Sequence, residues 1–171
     1  GNIALWAFLE RIGAAIPIAA AQMGIVFAVL KLLGGVAAFS VAAVGDRAGQ
    51  RAPYVVVLVG VAAGLALLAG AKGFLSFALG AWIWEFAFTC GCVFQAALIA
   101  RHDVSGRAVV LIPAVFALGS MVGPGIAGNL VTGGSFASLL LLALACTVVP
   151  VLAHSVGRRS AYTGPIARSV P

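Results

Sequence analysis

Charge is what this sequence has least of. Charged side chains make up 8% of the chain, against roughly 25% in an ordinary soluble domain. Acids are the scarcest, with Asp and Glu together numbering 4: Glu10, Asp46, Glu85 and Asp103. So few charges cannot cover a globule of 171 residues with a wetted surface. Reactive constellations are missing too. There is no His–Glu pair at helical spacing, no pair of aspartates, and no serine in a G-x-S-x-G setting, so an enzyme is not expected. Cys90, Cys92 and Cys146 all lie inside apolar segments, and Cys90 and Cys92 fall on nearly opposite sides of a helix. They read as small core residues, with no metal site and no disulfide. No charged segment precedes the first apolar run and no small-residue cleavage site ends it, which sets aside a signal peptide.

What remains is hydrocarbon. Hydrophobic residues make up 63% of the chain, and its mean hydropathy is +1.18. They fall into six runs, at about 2–15, 19–44, 53–71, 75–100, 108–131 and 136–155. Crossing the apolar core of a bilayer takes about 20 residues of helix. The fold class expected is therefore all-α and integral to a lipid bilayer, and runs of this length exclude β-barrel strands. The first run is too short to span and reads as a truncated helix. Residues 158–171 carry Ser, Gly and Pro and are expected to form a disordered tail.

The formal charge is +6 and the pI is about 10.1. A nucleic-acid partner is not expected, because the arginines sit between apolar runs rather than along one face. Arg47, Arg51, Arg101, Arg107, Arg158, Arg159 and Arg168 all fall on one side of the implied sheet, and Lys72 alone on the other. The bias of basic residues toward the cytoplasm places the charged loops and the C-terminus there.

The loop between the second and third runs reads Gly45-Asp46-Arg47-Ala48-Gly49-Gln50-Arg51. It resembles the major facilitator signature G-x-x-x-D-R-x-G-R-R, with Asp46, Arg47, Gly49 and Arg51 matching and with Ala42 and Gln50 departing. Such degeneracy suits the second copy of that motif, between spans eight and nine. Gly119, Gly123, Pro124 and Gly128 resemble the family's G-x-x-x-G-P-x-x-x-G run, and Asp103 to Arg107 resembles its D-x-x-G-R loop. The resemblance implies a six-helix half-bundle, from the end of span seven through span twelve. The partner it implies is an N-terminal six-helix bundle of the same polypeptide. It also implies that the hairpin holds a cytoplasmic gate shut; as residues alone, the hairpin is equally a topology anchor. Gly119, Gly123, Pro124 and Gly128 are read as a flex point or as a fixed kink for close packing.

Two charges lie near the middle of spans: Lys31 and Glu85. Each would cost roughly 2.5–3.5 kcal/mol facing lipid at the helix centre, so each needs a partner or a water-filled cavity. Their similar depth makes them candidates for each other. Glu85, Thr89, Cys92 and Gln95 share one stripe of their helix. Glu85 reads either as a proton site or substrate contact, or as half of a structural pair with Lys31. Glu10 and Arg11 read as a cavity pair or an outer-gate pair.

The function implied by the resemblance is secondary transport of a small solute by alternating access, in the inner membrane of a bacterium. No cofactor is implied; Glu85 and Glu10 are the residues that proton coupling would use. A sugar porter is not supported, since no E-x6-R element stands near the second loop. The alternative is a polytopic receptor or assembly subunit that transports nothing.

Overall fold

The computed structural model describes residues 1–48, 52–131 and 135–162, without the side chains of Asp46, Ala48 and 153–162. Within them the chain is all helix: α1 (Asn2–Ala14), α2 (Ala20–Val44), α3 (Ala52–Ala69), α4 (Phe74–His102), α5 (Arg107–Leu130) and α6 (Ala137–Tyr162). The ends sit where the sequence changes chemistry. Gln22 accepts the Ala19 amide at 3.0 Å ahead of α2. Pro53 opens α3 in the first turn, where its missing amide costs nothing. Gly45 ends α2 at φ +50 and Gly106 precedes α5 at φ +72, both in the region that glycine enters without a Cβ clash.

Among the described residues four helices are long and apolar enough to cross a membrane: α2, α3, α4 and α5. α1 has 13 residues. α6 is helical over the expected sixth run, but its described apolar stretch is the shorter Ala137–Leu152. The helix also continues to Tyr162, past the expected end at 155, so part of the anticipated tail is helix. Residues 163–171 lie outside the described residues.

α4 is the axis of the packing, with α3 and α2 along it and α1, α5 and α6 closing the remaining sides. Trp84, Phe77, Leu5, Leu9, Leu30 and Leu139 are fully buried. Small residues set the helix spacing. A Cβ at Gly64 would lie 2.6 Å from the Trp84 amide nitrogen, and one at Gly60 would lie 2.7 Å from the Ala87 Cβ. α3 and α4 therefore touch backbone to backbone, as close-packed membrane helices do.

Outside, the molecule is inverted relative to a soluble protein. Phe39, Val56, Val59, Val110, Val115 and Met121 are exposed on α2, α3 and α5. Exposed polar side chains on these helices close their hydrogen bonds locally. Ser40 donates to the Val36 carbonyl at 2.7 Å, Ser120 to Phe116 at 2.9 Å, and Asn129 to Gly125 at 2.9 Å. In hydrocarbon no water would satisfy them, and the i−4 carbonyl does.

Candidate functional site

Among the described side chains Glu85 is the one acid drawn inside the bundle, at 8% exposure. It sits on the inner side of α4, held there because Trp84 and Ala81 beside it are fully buried. Its Oε2 is sealed from solvent and has no hydrogen-bond partner. Thr89, one turn along α4, hydrogen-bonds the carboxyl. Gly34 of α2 faces the pair: a Cβ there would stand 3.7 Å from Glu85 Oε1 and 3.9 Å from Thr89 Oγ1. Lys31, one turn earlier on α2, acts on the carboxyl through space. A buried oxygen left unpaired costs about 1–3 kcal/mol, more when charged, so this carboxyl calls for a proton, a cation or a donor.

The Lys31–Glu85 ion pair anticipated from depth does not form. The Lys31 ammonium instead lies 4.2 Å from the centroid of the Trp6 ring of α1, and Trp6 packs edge-on to Phe27 at 6.1 Å. A cation over an indole face is held by the ring quadrupole, by about 0.5–1 kcal/mol at exposed sites and 2 or more when desolvated. Lys31 itself is exposed. Depth along a helix axis was readable from the sequence; which way the flexible lysine stem turns was not.

The other anticipated residues divide. Glu10 and Arg11 are both exposed at the end of α1, with the Arg11 guanidinium 5.0 Å from the Phe8 ring, and among the described residues neither forms an ion pair. Gln95 lies further down the α4 stripe and lines a cavity with Cys92. Gly119, Gly123 and Gly128 form the face of α5 that meets α1: a Cβ at Gly123 would lie 3.3 Å from the Ala4 amide nitrogen, and one at Gly119 3.0 Å from the Ile3 side chain. α5 runs unbroken through Pro113 and Pro124. Close packing is what this glycine face does here. Arg47 is exposed in a single 3-10 turn, Gly45–Ala48. The Asp46 side chain, Gly49 and Arg51 lie outside the described residues.

The second loop caps α5. Val109 donates its amide to Asp103 Oδ2 at 2.9 Å, and the Ser105 hydroxyl donates to Oδ1 at 2.9 Å. The Val109 amide, with help from Ser105, holds the Asp103 carboxyl below its ordinary value of 3.8. A depressed acid stabilises while ionised. Its contribution is complete above the ordinary value and is lost as pH falls through the lower folded value. Asp103→Ala is expected to expose the first turn of α5 at neutral pH, read as faster amide exchange at Val109. The unsubstituted chain should show the same change only in acid. Unchanged protection in the variant would count against the cap.

A buried polar network escaped the sequence reading. The Trp84 indole donates to Asn2 Oδ1 at 2.9 Å, Asn2 Nδ2 donates to Thr147 Oγ1 at 3.1 Å, and Thr147 donates to the Ala143 carbonyl at 3.0 Å. It ties α4, α1 and α6 across 145 positions of sequence. Polar side chains inside apolar runs were the available signal. Thr147→Val keeps the shape and strands the Asn2 donor, so it is expected to cost about 1–3 kcal/mol. Chemical unfolding in detergent would measure it, and a change below a few tenths would mean the network is not stabilising.

Cys90 and Cys92 are half-buried, but Cys146 is exposed on α6 rather than in the core, and all three are free. No group of three or more metal-ligating side chains exists among the described residues. No protein-family model, no curated protein and no solved structure matches this chain.

Proposed function

We propose that this chain is one helical bundle of a secondary transporter of the major facilitator type, moving a small solute by alternating access. The observation that carries the reading is Glu85, a buried carboxyl with an unpartnered oxygen inside a helix long enough to cross a membrane. Ionisable groups at such depth are expensive, and they mark ion, proton or substrate pathways. The exposed ammonium of Lys31 on α2 supports it, because a charge on that face needs water or protein opposite it rather than lipid tails. The resemblance of the 45–51 hairpin supports the family.

In this reading a second six-helix bundle of the same polypeptide faces Lys31, Trp6 and Glu85, and the solute binds between the two. Glu85 exchanges a proton during the cycle. The arginine-bearing loops and the C-terminus are cytoplasmic, in the inner membrane of a bacterium. The test is solute flux by the full-length protein in proteoliposomes under an imposed proton gradient, screened over small-solute classes. Gradient-driven accumulation of one class supports the proposal. A protein that binds but never accumulates any solute would be the receptor or assembly subunit instead.

A further inference from the structure

Lys31 is an exposed cation near the middle of α2, a helix long enough to cross a membrane. Its close partner is the Trp6 ring, 4.2 Å from the ammonium to the centroid. An indole face attracts the charge from one side, but an ammonium carries three N–H donors. Among the described residues none of those donors finds a hydrogen-bond acceptor. The ring contact is also weaker than the cost of setting a lysine against lipid at that depth.

No described acid of the bundle neutralises Lys31 by contact. Glu85 is enclosed, and the α2 residue it faces is Gly34. Glu10 is exposed one turn beyond Trp6 on α1 and forms no ion pair among the described residues. Asp103 is engaged in the loop ahead of α5. The charge that balances Lys31 therefore comes from outside this bundle.

The face of α2 that carries Lys31 leaves room for it. Gly24, Ala28, Lys31 and Gly35 follow one another at helical spacing and are all exposed. A Cβ at Gly24 or at Gly35 would meet nothing within 4 Å. The neighbouring stripe carries Ile25, Leu32, Val36 and Phe39, exposed side chains of the kind that suit lipid tails. One exposed side of α2 is thus bulky and wholly apolar, and the other is small around a single cation. Trp6 and Phe27, packed edge to face and partly buried, stand beside that cation as an aromatic wall.

We propose that Lys31 and Trp6 bind the solute, and that the solute is a small organic carboxylate. The ammonium donates to the carboxylate oxygens on its open side, and the apolar body of the solute lies against the Trp6 and Phe27 rings. One ammonium matches one negative charge. A phosphate ester carries about −1.5 to −2 at pH 7 and would leave charge unmatched here. The proposal rests on the transport reading, which sets the Lys31 face opposite a second bundle rather than lipid.

The test is binding of radiolabelled acetate, butyrate and phenylacetate to the full-length protein in nanodiscs, each competed by its neutral amide. Flux of the same carboxylates into proteoliposomes is measured in parallel. A charge-assisted hydrogen bond lost from the amide is expected to make at least one carboxylate bind about tenfold or more tighter than its amide. Lys31→Gln should abolish that preference and Lys31→Arg should keep it. No preference for any carboxylate, or a preference that survives Lys31→Gln, overturns the proposal. Should that happen while the protein still accumulates a solute of another class, the transport reading stands without it. Carboxylate binding that needs Lys31 but leads to no gradient-driven accumulation supports the site and removes the transport reading.

Discussion

Gly64→Leu is expected to separate α3 from α4 and to lower the unfolding midpoint of the chain in detergent by more than any other single glycine replacement. The reason is what the new side chain meets. A Cβ at Gly64 stands 2.6 Å from the Trp84 amide nitrogen and 2.8 Å from the Gly80 carbonyl oxygen. Both are backbone atoms, so no rotamer change relieves the clash. The helices must part, and Trp84 donates into the Asn2–Thr147 network and stacks on Phe88 at 5.9 Å. Overpacking of a tight core costs about 1–3 kcal/mol and occasionally more, and this contact belongs at the upper end. Gly35→Ala is the control. Nothing lies within 4 Å of its added methyl, and relief of a mid-helix glycine is expected to gain roughly 0.5–1 kcal/mol. Equal stability of the two variants would contradict the backbone-contact account of the α3–α4 pair.

Glu85→Gln is expected to remove the pH dependence of transport by the full-length protein and to cut gradient-driven flux at least about tenfold, some 1.4 kcal/mol in the barrier. The amide has the shape of the acid but cannot take up or release a proton. It also takes the charge away from the sealed position of Oε2, and a buried neutral group costs less than a buried ion, so the fold should be no less stable than that of the unsubstituted chain. Solute exchange without a proton gradient should survive if the carboxyl serves coupling alone. Flux and pH profile both retained in the amide variant would make Glu85 a structural group.

The helices were legible because their ends are punctuated. Pro53, Gly45, Gly106 and the arginines stand where the apolar runs stop, and expected bounds such as 108–131 differ by a residue from Arg107–Leu130. The close approach at Gly60 and Gly64 coincides with a four-residue spacing of glycines, the pattern of close-packed membrane helices. The burial of Glu85 was legible because an acid in a long apolar run is too costly to face lipid. What the sequence could not carry is the arrangement of helices around one another. Gly34, and not Lys31, is the α2 residue that faces the carboxyl, and Lys31 spends its charge on the Trp6 ring. Asn2 finds Thr147 at the other end of the chain. The glycines of α5 meet Ile3 and Ala4 of α1, a partner that their spacing does not name. Each of these depends on azimuth and on neighbours distant in sequence, which a one-dimensional pattern of apolar and polar residues does not encode.

The account depends most on α2 through α5 crossing a bilayer with the 45–51 and 103–106 loops on its inner side. Single cysteines at Lys72 and at Arg107, in a background where Cys90, Cys92 and Cys146 are replaced, would be labelled in intact cells with a membrane-impermeant maleimide. Lys72→Cys should label from outside, and Arg107→Cys only after the membrane is opened. Labelling of Arg107→Cys in intact cells, with Lys72→Cys protected, would contradict the orientation and the transport reading built on it.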